Sequence, residues 1–112
     1  KNPVESCKDS TKLTGKGLNQ KDMTLSFDWS VDSDKENCVR VSFDVYGYLG
    51  VGVNNKIATL EPGHNSFEET IKDKSPNGHY KYYLQSTFSD GYKSQAIEID
   101  IGPDNIIAHD EL

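Results

Sequence analysis

Apolar and polar residues alternate with a period of two along most of the chain. In MTLSFDWSV, Met23, Leu25, Phe27, Trp29 and Val31 fall on one side, and Thr24, Ser26, Asp28 and Ser30 on the other. VRVSFDV repeats the pattern, setting Val39, Val41, Phe43 and Val45 against Arg40, Ser42 and Asp44. A period of two predicts strands with one buried and one wet face. HYKYYLQ places Tyr80, Tyr82 and Leu84 opposite His79, Lys81 and Tyr83, and AIEIDI places Ile97, Ile99 and Ile101 opposite Glu98 and Asp100. SFEETI is a weaker strand anchored by Phe67 and Ile71, and VGVNNKIATL predicts a glycine-bearing strand or strand pair at a sheet edge.

Turn signals separate these runs. VDSDKENC joins the first two long strands, and EPGHN and KSPNGH combine Pro, Gly and Asn, whose fixed or permissive φ suits turns. FSDGYKS carries Asp90-Gly91, a short hairpin signal. No stretch has helical periodicity. The opening segment, residues 1–20, is polar, with Leu13 and Leu18 as its apolar points, and is expected to hold a short first strand. About seven strands without helices predict an all-β fold, an antiparallel immunoglobulin-like β-sandwich with Trp29 near its centre. The sandwich is expected to span residues 1–102, with 103–112 as an exposed, flexible tail.

Trp29 on an early strand, CVRVSFDVYG as the next, and the late hairpin GHYKYYLQSTFSDGYKSQAIEIDIG together resemble the fibronectin type III pattern over residues 20–102. In that family an early-strand Trp packs in the core and a later Tyr follows a turn. The resemblance implies Trp29, and Tyr80 or Tyr82, at those places. It also implies a binding module rather than an enzyme, although fold alone does not fix function.

Charge narrows the partners. A net charge of -6 over 112 residues argues against nucleic acid, which needs a basic face, and against anionic membrane surfaces. No apolar run approaches the roughly 20 residues of a membrane-spanning helix, so no membrane insertion is expected. The chain begins Lys1-Asn2-Pro3, without an initiator Met or a leader, and is read as a mature, processed or excised product. Cys7 and Cys38 are the two cysteines. In an oxidising compartment they predict one disulfide, closing a loop of about 30 residues worth roughly 3–4 kcal/mol; a bridge to a second subunit, or two free buried thiols, remain as alternatives.

The last four residues, His109, Asp110, Glu111 and Leu112, spell an endoplasmic-reticulum retrieval signal, an address read by a receptor and not a membrane anchor. By chance this tetrapeptide ends one chain in about 10⁵, taking equal residue usage. A His in the signal suits a receptor that binds in a mildly acidic compartment and releases near neutrality. The lumen is oxidising, which agrees with the expected Cys7–Cys38 bridge. The sequence holds no Asn-x-Ser/Thr glycosylation site.

Other chemistry is thin. Asp32, Asp34 and Glu36 alternate like the start of a calcium loop but lack its glycine and its distant Glu. Glu68 and Glu69, adjacent on a strand, point to opposite faces and cannot share a substrate as an acid–base pair. His64, His79 and Asp90 could sketch a triad with a Ser, but no nucleophile elbow accompanies them. Gly47, Gly50 and Gly52 are not followed by the helix of a phosphate loop. No metal or cofactor is expected. The outward set Tyr46, Tyr48, Tyr83 and Tyr92 is the candidate binding patch, since exposed Tyr suits interfaces and stacks on sugars.

Two main readings follow. One is a non-catalytic lumenal module that binds a protein or a glycan and is retrieved by the HDEL receptor. The other is a processed, secreted subunit of a killer-type toxin, because the tail alone resembles the one that some yeast killer toxins use for retrograde entry. A small lumenal enzyme, or a domain cut from one, is a third.

Overall fold

The structure is a computed structural model that describes residues 11–31, 39–49 and 52–107. Its strands are β1 (Thr11–Asn19), β2 (Thr24–Val31), β3 (Arg40–Tyr46), β4 (Lys56–Leu60), β5 (Ser66–Thr70), β6 (Tyr80–Phe88), β7 (Ile97–Ile101) and β8 (Ile106–Ile107). They form two facing sheets, ordered β5-β2-β1-β8 and β4-β3-β6-β7. All pairings are antiparallel except that of β8, which runs parallel to β1. The result is a fibronectin type III-like β-sandwich.

Alternation builds the core. Leu25, Phe27 and Trp29 of β2 meet Phe43 and Val45 of β3, Tyr80, Tyr82 and Leu84 of β6, and Ile99 and Ile101 of β7, all buried. Aromatic rings fill the centre: Trp29 lies 5.2 Å from Phe43 and Phe27 lies 5.6 Å from Tyr82, centroid to centroid, in tilted pairs. Each such ring adds large apolar burial and a specific contact geometry. The indole Nε1 of Trp29 is buried with no hydrogen-bond partner among the described residues, a cost that the ring's apolar contacts must exceed.

Tyr80 stands at the start of β6, and its hydroxyl accepts the backbone N–H of Ser75 at 3.0 Å. This is the tyrosine corner of immunoglobulin-like sandwiches, which ties the first residue of that strand to the loop before it. Of the two tyrosines that the family resemblance allowed, Tyr80 therefore makes the corner, and Tyr82 is free for another task.

Three expectations are corrected. Strict alternation placed Val39 and Val41 inside and Arg40 outside, but Val39 and Val41 are 56% and 45% exposed and Arg40 is buried. A β-bulge is the reason: Arg40 faces Phe88 and Ser42 faces Thr87, leaving Val41 as the extra residue. One added residue reverses every side chain beyond it. Arg40 then caps the core, bonded to Ser86 and stacked 4.9 and 5.0 Å from the Phe43 and Phe88 ring centroids. Second, the segment after Gly102 does not begin a free tail. Pro103–Asn105 forms a 3-10 turn, and Ile106 and Ile107 pair with Leu18 and Asn19. The open edge of β1 supplies the partner, which no local pattern reveals. Third, the first strand is long, at nine residues. The glycine-bearing segment keeps its expected place, because β4 is the outermost strand of its sheet.

The bulge sets a mutational contrast. Val41→Thr should change stability by less than about 0.5 kcal/mol, whereas Arg40→Ala should cost roughly 2–3 kcal/mol through the lost hydrogen bonding and ring stacking. Urea denaturation of the two variants measures the difference; equal effects would place Val41 back in the core.

Candidate functional site

The four tyrosines expected to form one patch occupy three places. Tyr46 and Tyr83 are cross-strand partners on the outer face of the β4-β3-β6-β7 sheet. Tyr46 is only 7% exposed, contrary to expectation, and its hydroxyl donates to Gln85 Oε1 at 3.2 Å. Neighbouring side chains on a sheet face cover even an outward ring. Below the pair on that face lies Asp44, buried and held by Lys56 at 3.6 Å, Lys93 at 3.5 Å and the Thr87 hydroxyl at 2.9 Å. Tyr92 stacks on Phe88 beside the Asp90-Gly91 turn. Tyr48 lies elsewhere: its ring packs on Tyr80 and Tyr82, 5.1 and 5.7 Å between centroids, where the sandwich opens between β4 and β5.

There the chain makes a cleft of about 270 Å³ lined by Gly47, Tyr48, Asn55, Ile57, Glu69, Thr70, Lys72 and Asp73, with Leu49 at its side. Local sequence explains its shape. Ile57 is the extra residue of a bulge between the Val45–Ala58 and Tyr46–Lys56 pairs. A Cβ on Gly47 would come within 3.0 Å of Ile57 Cγ2, so a side chain at residue 47 would press into this wall. Asn55 carries the loop back by accepting the Gly47 N–H at 2.8 Å.

Glu69 is the residue that the sequence reading passed over. It shares the inward parity of Phe67 on β5 and of Ile71 just after it, and so points between the sheets. The hydroxyl of Tyr82, fully buried on β6 of the other sheet, donates to Glu69 Oε2 at 2.5 Å. The signal was present as a carboxylate at an inward position of an alternating strand. Glu68 faces out, so the two glutamates stand on opposite faces as expected.

Both phenols here hold their protons tightly. Burial is the main cause of the raised pKa of Tyr82, and donation to the Glu69 carboxylate adds to it. Tyr48 is also raised, first by burial, with the negative charges of Asp73 and Glu69 contributing. Tyr48 donates to the Asp73 carbonyl at 2.9 Å. The cleft is thus lined by the neutral phenol of Tyr48 together with the charged residues Glu69, Lys72 and Asp73, while Tyr82 lies behind it and holds Glu69.

The remaining candidates stand apart. His64 Nδ1 contacts the Glu61 carbonyl at 3.2 Å, whereas His79 Nδ1 pairs with Asp100 at 2.9 Å. Asp90 caps the Tyr92 N–H at 2.9 Å, so the sketched triad is not assembled. Among the described residues no three His, Cys, Asp or Glu side chains converge on a metal site. Cys7, Cys38, the Asp32–Glu36 loop, Gly50 and the terminal His109, Asp110, Glu111 and Leu112 lie outside the described residues.

The chain is similar in structure to a fibronectin(III)-like module of Clostridium thermocellum CbhA, with a TM-score of 0.59, 12% identity, and coverage of 82% of this chain and 93% of that one. That likeness concerns the fold alone. Two structures of pectate lyase Pel3 from Pectobacterium carotovorum are similar at TM-scores of 0.52 and 0.55 and identities of 26% and 25%. They cover 80% and 85% of this chain, which spans 26% and 28% of theirs. No protein-family model matches the chain, and no curated protein matches its sequence.

Tyr82 makes stability pH-dependent. Its pKa in the folded chain lies above the ordinary value of 10.0, so the unfolded chain loses the proton first. Its contribution is complete below about pH 10 and falls as pH rises toward the folded value, by roughly 1.4 kcal/mol per pH unit. Urea titrations from pH 8 to 11 should show this slope in the parent chain and a shallower one in Tyr82→Phe. Parallel slopes would contradict it.

Proposed function

We propose that this chain is a non-catalytic binding module of the endoplasmic-reticulum lumen that holds a glycan-bearing partner in the Tyr48 cleft and is returned by the HDEL receptor. The observation that carries the binding site is the cleft itself. An aromatic ring, an apolar wall and side chains uncommitted to other partners meet at one opening of the sandwich, the composition of a small-ligand site. The fibronectin type III-like fold supports a module that binds rather than reacts. A glycan is preferred to a protein partner because the cleft sets the Tyr48 ring and Ile57 beside hydroxyl, amide and charged side chains, a pairing that suits a ring with one C–H face and many hydroxyl groups.

Retrieval is the proposed role of the last four residues. His109, Asp110, Glu111 and Leu112 spell the receptor's signal, which acts when its Leu is the free terminus. A bridge between Cys7 and Cys38 would suit the oxidising lumen. The toxin-subunit reading differs in two outcomes: a second chain linked through one of these cysteines, and entry of the added protein into intact cells.

Expression behind a secretory leader tests the proposal. The full chain should stay in the cell and co-purify with lumenal glycoproteins, and enzymatic deglycosylation should abolish the co-purification. Removal of residues 109–112 should release the chain to the medium with its glycan binding intact. Equal residence of the two forms would refute retrieval, and capture that survives deglycosylation would refute glycan binding.

A further inference from the structure

We infer that the cleft is a subsite for one neutral pyranose ring of a longer glycan, and that Glu69 is the residue that selects against uronic acids. The inference rests on the proposed use of the cleft for glycan binding and adds the class of sugar. Its size fits: about 270 Å³ lies just below the roughly 300–1,000 Å³ of sites that enclose a whole small molecule. It therefore takes one unit, with the rest of the chain lying over the open side between β4 and β5.

The lining specifies the chemistry. One wall is apolar, made by the Tyr48 ring and Ile57, and suits the C–H face of a pyranose. The other lining side chains named here are polar, and most of their polar atoms are open to a ligand. Tyr82 occupies Oε2 of Glu69, and Oε1 has no hydrogen-bond partner among the described residues. The side chains of Asn55, Thr70, Lys72 and Asp73 likewise make no hydrogen bond to another described residue. Carboxylates accept, the ammonium donates, and the amide and hydroxyl do both. A ring of hydroxyl groups, each donor and acceptor, satisfies such a mixed set without leaving a charge unpaired.

Charged alternatives fit less well. Glu69 and Asp73 place two carboxylates against the single ammonium of Lys72, on a chain of net charge -6. A uronate carboxylate would meet net repulsion, strongest at Glu69 because that group is half-buried and fixed by Tyr82. A lysine or arginine from a peptide would be attracted by the carboxylates but would face Lys72 at the same rim. Glu69 thus has two tasks here. It accepts one sugar hydroxyl, and its charge excludes acidic rings.

A glycan array carrying neutral hexose oligomers, oligogalacturonides and sulfated glycans, printed beside basic peptides, tests this with the full chain. Neutral oligomers should bind, and Tyr48→Ala should weaken them by at least about tenfold. Because Tyr48 also packs on the core, Thr70→Trp serves as a second block from an exposed position and should have the same effect. Glu69→Gln, with folding checked by thermal denaturation, should narrow the preference for neutral over uronic oligomers by at least about fivefold. Preference for oligogalacturonides that both blocking variants abolish would overturn the neutral-sugar inference while leaving the glycan-binding module in place. Binding to peptides alone, or to nothing, would overturn both. Neutral binding untouched by either variant would remove the cleft as the site.

Discussion

One hydrogen bond crosses the sandwich and organises the side on which it opens. Tyr82 rises from the second-sheet strand β6, passes Phe27 and Tyr48, and delivers its hydroxyl to Glu69 on the edge strand β5 of the first sheet. A charged acceptor makes this bond stronger than a neutral one, worth roughly 1.5–3 kcal/mol. Without it, a buried phenol would lack an acceptor and an inward carboxylate would lack a donor. The bond fixes the Glu69 head group, and with it the floor against which Tyr48, Asn55 and Ile57 form the cleft. It also guards an edge. An inward-pointing charge on an outer strand discourages pairing with other chains, and β5 carries one.

The two lateral sides of the sandwich are finished differently. On one side β8 adds to β1, Lys16 donates to the Asp100 carbonyl of β7 at 2.6 Å, and His79 pairs with Asp100. A Cβ at Gly102 would lie 2.7 Å from the His79 ring, so a side chain there would displace the imidazole from this edge. That side is laced shut. On the other side β4 and β5 face each other with no bridging strand among the described residues, and the aromatic core reaches the surface through Tyr48. The cleft lies where this apolar surface meets the polar side chains of β5 and the residues that follow it.

Much of this was legible in the sequence because a half-buried strand repeats every two residues. Phe27 and Trp29, Phe43 and Val45, Tyr80, Tyr82 and Leu84, and Ile99 with Ile101 all face the core as their parity dictates. Parity failed where a single extra residue entered. Val41 is that residue, and a bulge depends on the register of the partner strand, which is not local information. β8 was missed for a related reason: two apolar residues make no period, and its partner lies far back at Leu18 and Asn19. Tyr46 was taken as exposed because parity reports the face of a sheet and not what lies across it. The site itself was half legible. Tyr48 was in the candidate set, but Glu69 was judged only against its neighbour Glu68, although its parity with Phe67 and Ile71 already aimed it inward.

The central claim is that Tyr82 and Glu69 act as a pair across the core, and a double-mutant cycle measures that directly. Tyr82→Phe, Glu69→Gln and the double variant would be compared with the parent by urea denaturation at neutral pH. The account predicts non-additivity of at least about 1 kcal/mol, with the double variant less destabilised than the sum of the single ones. Additive losses would show that the two groups are independent, and the inter-sheet bond would no longer explain how the cleft is held.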